Sequence, residues 1–382
     1  MYEECPGTLN PIIAAARADF KELNGLVTQW QFDRHHKHPH YEHQQEQARS
    51  RRVSGRQSRP AATVAAVKSS RAAFEIPADI VTADEHRARI SSKVRAFMQR
   101  DGARESSQHV PQPVKMFSYH ETQNVPHRRT MEDAHIFHPS AAPPLGPRTA
   151  LVAVLDGHGG SRTALDIVLD HFPAIIGDEM RGHPPSVSGS RRKSIKAAMV
   201  GAFARMDQEL RPCAWQNGLT ATVLLIKRQK DRKSNKDCCT VICANVGDSR
   251  AILVAPSGRL TRLTQDHRPT SNAAETDRVV NNGGVVLFGR VGGQLAVSRA
   301  LGDWCLKNDG VISEPSVSVK REVVQGSIVV AASDGVWDVL GDEEVATFVS
   351  MHINEEDVAE KLVSLAVSSG SRDNCCAAVS LI

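Results

Sequence analysis

The sequence predicts a mixed α and β fold rich in antiparallel sheet. From about Pro113 to the C-terminus, apolar runs of strand length alternate with stretches of helical periodicity. Several runs follow one another with only a turn between them, notably the pair flanking Val246-Gly247-Asp248-Ser249. Hairpins are therefore expected, and a purely parallel, doubly wound sheet is disfavoured. A third, chemical observation is that acidic residues recur where these runs end, beside a glycine or a second acid.

The first third of the chain has a different texture. Residues 12–32 have a helical look, with Ile13, Ala16, Phe20 and Leu23 at helical spacing, and residues 84–100 form an amphipathic stretch through Ile90, Val94 and Phe97. Between them, residues 48–71 carry seven basic side chains and no acidic one among scattered Ser, Gly and Pro, which is the composition of a segment unable to bury much apolar surface. Residues 1–112 are thus expected to form an N-terminal extension, partly helical and partly disordered, and residues 113–382 a folded domain. Within that domain strands are expected at 149–155, 220–226, 239–246, 250–255, 327–333 and 375–382. Helices are expected at 161–176, 194–210, 272–281, 343–353 and 356–367.

A chain of 382 residues can bury a sizeable core, and its 41% apolar and 24% charged residues are ordinary for a soluble protein. The net charge of +4 does not call for a nucleic-acid partner. No apolar run approaches the roughly 20 residues of a spanning helix, and the start MYEECPGTLN lacks the basic and apolar regions of a signal peptide. An intracellular protein, cytoplasmic or nuclear or both, is expected. The eight cysteines include the adjacent pairs Cys238/Cys239 and Cys375/Cys376, a spacing that suits neither a disulfide framework nor a CxxC knuckle, so reduced, structural thiols are expected.

The strand-end acids are Glu132 and Asp133 in RRTMEDAH, Asp156 in VLDGHGG, Asp334 in AASDGVWD and Asp373 in SRDNCC. A strand end fixes the direction of a side chain, and a following glycine lets the backbone turn sharply enough to bring a carbonyl beside the carboxylate. Carboxylates gathered without counter-charge raise one another's pKa, and hard divalent cations such as Mg²⁺ and Mn²⁺, which prefer oxygen ligands, are the usual remedy. Taken singly, each motif is equally well a turn, a charged edge or a capping acid. Those readings leave the recurrent order and context unexplained.

The collinear series R-x-x-M-E-D (Arg128 to Asp133), D-G-H-G-G (Asp156 to Gly160), G-x-T-A (Gly218 to Ala221), V-G-D-S-R (Val246 to Arg250), Q-D-H-R-P (Gln265 to Pro269), L-A-V-S-R-A-L-G-D (Leu295 to Asp303), S-D-G-V-W-D (Ser333 to Asp338) and R-D-N (Arg372 to Asn374) resembles the type 2C, metal-dependent protein phosphatases. The resemblance spans about residues 113 to 382 and makes that region the catalytic domain. It implies an α+β fold, a four-layer αββα sandwich of two antiparallel sheets flanked by helices. It also implies a serine/threonine phosphatase that hydrolyses phosphoserine and phosphothreonine esters by direct attack of a water activated at a binuclear Mn²⁺ or Mg²⁺ site. Asp156 would bridge the ions, and Asp334 and Asp373 would bind one of them. Glu132 and the Gly157 carbonyl would serve the other, directly or through water, with Asp133 close by. Asp248 and Asp338 match positions implicated in a weaker third ion. Arg128 matches the phosphate-binding arginine and His158 the general acid. Arg299, His267 and Thr220 are expected to be architectural. Residues 304–313 fall where relatives carry a flap, shortened here around Asn308, Asp309 and Gly310.

One departure qualifies the match. After Asp373-Asn374 the family usually has a residue and then Ser or Thr, where this chain has Cys375 and Cys376. An exposed Cys375 would confer oxidation sensitivity, whereas a buried one would be inert. The phosphate-cradling C-x5-R loop of cysteine-dependent phosphatases is absent, as are the GDxHG and GNHE motifs of another metallophosphatase fold. The alternative function is a catalytically weak phosphatase-like scaffold that binds phosphoproteins, disfavoured by the retention of the metal acids, Arg128 and His158. In the leading segment, RHHKHPHYEH (34–43) reads as a solvated His-rich stretch or a metal binder, Ser54 in RRVSG as a basophilic kinase site, and the basic run as a nuclear-localisation or anionic-surface patch. The extension is expected to dock a partner or regulate activity.

Overall fold

The computed structural model describes residues 112–139, 145–182, 191–230 and 235–382. The helices expected at 12–32 and 84–100, the basic run, the His-rich stretch and Ser54 all lie outside these residues.

Alternation along the strands sets the architecture. In β3 (Thr149–His158), Leu151, Ala153 and Leu155 face one apolar cluster while Ala150, Val152 and Val154 face another. A strand apolar on both faces has to be covered on both. It lies in an antiparallel sheet with β2 (Asp133–His138), β4 (Gly218–Lys230), β5 (Asp237–Val246) and β11 (Ser316–Val324), ordered β11-β5-β4-β3-β2, with the short β10 (Leu301–Gly302) paired to β4. A second antiparallel sheet orders β1 (Met116–Thr122), β13 (Cys375–Leu381), β12 (Ile328–Ala332), β6 (Arg250–Val254) and β7 (Leu260–Arg262) as β1-β13-β12-β6-β7. In β12 the same period of two sends Val329 and Ala331 toward the first sheet and Ile328, Val330 and Ala332 away from it.

The outer faces are closed by helices. Against the first sheet lie α1 (Thr163–Gly182) and α2 (Arg191–Leu210), where Phe172 and Phe203 meet edge to face with ring centres 5.0 Å apart. Against the second lie the short α4 (Asp334–Trp337), α5 (Asp342–His352) and α6 (Val358–Ser368). A smaller apolar cluster beside the sandwich joins α3 (Ala273–Asn281), the hairpin of β8 (Val286–Leu287) and β9 (Arg290–Val291), and a 3₁₀ helix at Trp304–Asp309. The layers run helix, sheet, sheet, helix, which is the sandwich the resemblance implied.

Cys375 and Cys376 sit side by side on β13, fully buried and facing opposite clusters. Burial pushes the Cys375 thiol up to about 11. The exposed, oxidation-sensitive alternative for Cys375 is thereby overturned: at neutral pH this thiol carries little thiolate and meets no solvent.

Leu155, fully buried between β3 and α1, gives a direct measure of the outer layer's packing. Leu155→Ala is expected to cost about 2–5 kcal/mol. Val324→Ala, at a half-exposed position of β11, is expected to stay within about 0.5 kcal/mol. Urea midpoints of the two variants check the contrast.

Candidate active site

The two sheets bring their acidic strand ends to one side of the sandwich. Asp156 lies near the end of β3, where its register partner on β2 is Asp133. Gly157 follows, its N–H donating to the Glu132 carbonyl at 2.9 Å, and a Cβ at this position would lie 2.7 Å from that oxygen. Only glycine lets the two chains approach so closely. From the other sheet, β12 ends at Ala332, Ser333 caps α4 and Asp334 begins it. A Cβ on Gly335 would collide with the Asn374 carbonyl, so this glycine lets the Ser-Asp-Gly turn nest against the Arg-Asp-Asn turn that carries Asp373. Asn374 then ties in the arginine loop. Its side-chain amide donates to the carbonyls of Gln123 (2.8 Å) and Thr130 (3.0 Å), and its oxygen accepts from the Glu132 N–H (2.9 Å).

The result is an open cleft of about 600 Å³ lined by Arg128, Asp156, His158, Asp248, Asp334 and Asp373, with the Gly157 backbone among them. Asp156, Asp248 and Asp334 each offer a carboxylate oxygen within 4.8 Å of the other two. Asp373 faces the same cleft and accepts a hydrogen bond from Arg128, while the Asn374 N–H donates to its second oxygen at 2.7 Å. Two of the sequence-selected acids stand back from the opening. Asp133 is only 1% exposed and accepts from the Ser333 hydroxyl at 2.6 Å, and the Glu132 carboxylate accepts from the Thr130 hydroxyl at 2.8 Å.

Electrostatics at this end of the molecule are severe. Burial, followed by the charges of Asp133, Asp334, Asp248 and Asp373, lifts the Asp156 carboxyl well above the ordinary carboxylate range. Burial also pushes Asp133 up to about 8 and Asp334 to about 7, against the hydrogen bond from Ser333 in the first case and the pull of Arg268 in the second. His158 moves the opposite way from most buried histidines. Burial alone would lower it, but the Asp303 carboxylate, in contact with Nε2 at 2.7 Å, raises it above its ordinary value with help from Asp248 and Glu132. Asp303 is itself held in a left-handed conformation (φ 52°), its N–H donating to the Asn217 carbonyl.

Some groups that shape the site escaped the sequence reading. Asp303 closes the recognised Leu-Gly-Asp run, and only its distance to His158 reveals what it does. Arg268 follows His267 in the Q-D-H-R-P motif and reaches three acids, Asp248, Asp334 and Asp338. His267 is buried, accepting from the Gly247 N–H at 3.2 Å, Thr220 bonds Ser249 at 2.7 Å, and Arg299 is clasped by Glu275. The flap is the main difference. Residues 304–309 form a 3₁₀ helix capped at Gly310 (φ 97°) that contributes Cys305 and Leu306 to the cleft, but much of that wall comes from Arg290 and residues 294–297.

A family model described as Protein phosphatase 2C matches residues 117–375. The chain is 32% identical over 265 residues to "Probable protein phosphatase 2C 69" of Arabidopsis thaliana, covering 68% of each sequence. It is 34% identical over 270 residues to "Protein phosphatase 1A" of Mus musculus, covering 65% of this chain and 66% of the mouse one, so it spans about two thirds of the length of these relatives. The fold is shared with a solved phosphatase from a pathogenic strain of Toxoplasma gondii, at a TM-score of 0.56 and 23% identity over 70% of this chain and 92% of that one.

The raised carboxyls carry a sign that can be measured. An acid whose pKa is higher in the folded than in the unfolded chain binds its proton more tightly when folded, so stability falls as pH rises from the ordinary value of 3.8 through about 8. Chelated protein is therefore expected to show urea midpoints that decline from pH 5 to pH 8. Added Mn²⁺ is expected to flatten that decline, because a cation offsets the burial of the carboxylate charges and the repulsion among them that cause it.

Proposed function

The chain belongs to the protein phosphatase 2C family of metal-dependent protein serine/threonine phosphatases, and from that premise we propose that it hydrolyses phosphoserine and phosphothreonine esters with a water activated at a pair of divalent ions. The observation that carries the reading is the convergence of Asp156, Asp248, Asp334 and Asp373 with Arg128 and His158 on one cleft. The donor set fits hard cations. It is made of carboxylates and a backbone carbonyl, and burial with mutual repulsion leaves Asp156 costly to ionise without a counter-charge.

In this reading Asp156, Asp334 and Asp373, with Glu132 and the Gly157 carbonyl, would hold the divalent ions. When bound, Mn²⁺ or Mg²⁺ supplies Lewis-acid charge that makes a water acidic near neutrality and offsets the phosphate's negative charge. Asp133 supports the site from behind, its hydrogen bond from Ser333 linking the start of β2 to the end of β12. Arg128 has a planar fork suited to two phosphate oxygens, and its side chain is 47% exposed with Asp373 its partner, so turning to substrate breaks one ion pair at the surface. His158 keeps Nε2 on Asp303, which leaves Nδ1 as the ring nitrogen to protonate the departing serine or threonine oxygen. The raised pKa that Asp303 confers keeps more of the imidazole protonated at neutral pH, as a general acid requires.

Two measurements test this. Mn²⁺-dependent turnover of a phosphoserine peptide by the full chain is expected to fall at least ~10²-fold in Asp334→Asn, a change that keeps the side chain's size but removes its charge. Persistent turnover would instead leave a phosphoprotein-binding scaffold as the better account. His158→Ala is expected to slow an alkyl phosphate by ~10² to 10⁴ and an aryl phosphate much less, since an aryl oxide leaves without a proton. Equal losses on both would remove the acid role.

A further inference from the structure

We propose that Arg268 is a built-in third cation, its guanidinium occupying the carboxylates of Asp248 and Asp338 so that this chain keeps no exchangeable ion between them. The inference rests on the reading of the neighbouring acids as metal ligands and adds a boundary to it. Its basis is the use made of the guanidinium fork. Nε donates to Asp248, Nη1 to Asp338 at 2.7 Å, and Nη2 to both Asp334 (2.7 Å) and Asp338 (3.2 Å). Both oxygens of Asp338 and one each of Asp248 and Asp334 are thereby engaged. An ion seated between Asp248 and Asp338 would have to take oxygens already hydrogen-bonded to a permanent positive charge, and would meet that charge at contact distance.

The arginine is also held in place from its backbone. The His267 N–H donates to the Gly247 carbonyl at 2.9 Å and the Gly247 N–H to His267 Nδ1, which clamps the segment before Arg268 against the turn that presents Asp248. On the other side, the Arg268 carbonyl accepts from Ser271 (3.1 Å) and Asn272 (2.9 Å) in the turn leading into α3. Asp248 is buried, with 5% of its side chain exposed, so removing its counter-charge without replacing it is costly. An ammonium at this position would be a single point charge, unable to span three carboxylates with a planar fork. Asp334 remains common to both arrangements. One of its oxygens is bound to Arg268, and the other stays outside the fork for an exchangeable ion.

The test counts ions on the full chain, by titrating Mn²⁺ and following the free ion by electron paramagnetic resonance. Asp338→Asn is expected to leave the number bound unchanged, because Asp338 ligates Arg268 rather than metal. Arg268→Met is expected to gain about one weakly held ion, with dissociation in the millimolar range, and Arg268→Met with Asp338→Asn to lose it again. Loss of an ion in Asp338→Asn alone, or no gain in a folded Arg268→Met, overturns the proposal. Should Arg268→Met not fold, Asp338→Asn decides it, since that side chain is 54% exposed and its replacement leaves Arg268 paired to Asp248 and Asp334. A wild-type chain that binds no Mn²⁺ overturns the binuclear reading, whereas a full wild-type complement with no gain in Arg268→Met overturns only the role given to Arg268.

Discussion

The burial of clustered carboxylates is the constraint around which this molecule is organised. Asp133, Asp156, Asp248 and Asp334 share one end of a largely apolar sandwich, and all four carboxyls are driven upward by burial. A fold assembled for stability alone would scatter these groups into solvent or replace them by apolar residues. Retaining them is a local cost that the rest of the core has to offset. The two sheets can do so because their strands are apolar on both faces and sealed on the outside by helices.

Bringing the acids so close takes backbone geometry that few residues allow. Gly157 passes the Glu132 carbonyl, Gly335 passes the Asn374 carbonyl, and Gly247 turns at φ 92° against Thr220. Each of these glycines is flanked by an acid. The chain thus places residues without a side chain where acid-bearing turns must pass close to a neighbouring backbone or strand. Asn374 completes the arrangement by fastening the arginine loop to the Asp373 turn, so that Arg128 and Asp373 are set by the same hydrogen-bonded frame.

Much of this was legible in the sequence, because both the strands and the acids write their signal locally. Central strands such as β3, β4 and β12 are continuous apolar runs, and the helix expected at 272–281 is found at Ala273–Asn281. Edge strands were missed. β1 and β11 each pair on one side only and carry polar residues on half-buried faces, so MFSYHET and SVSVKREVV do not stand out as apolar runs. Within the site, the acids announced themselves at strand ends, but their partners did not. Asp303 lies 145 residues from His158 and Arg268 lies 66 from Asp334. No spacing rule connects them, because the contact is made by the packing of elements distant in the chain.

Arg128 and Arg268 show how one residue type can serve opposite ends within a single cleft. Arg128 has a single acidic partner, is about half exposed, and sits where solvent screens the pair, so giving up Asp373 for the phosphate of the proposed substrate would cost little. Arg268 has three partners, one of them buried, and a backbone clamped on both sides, so its exchange would strand a charge in the interior. The difference does not come from the guanidinium, which is the same in both. It comes from how many carboxylates each can reach and how far those carboxylates are from water. By that criterion the positive charge at one side of the cleft is available to a substrate, and at the other it belongs to the fold.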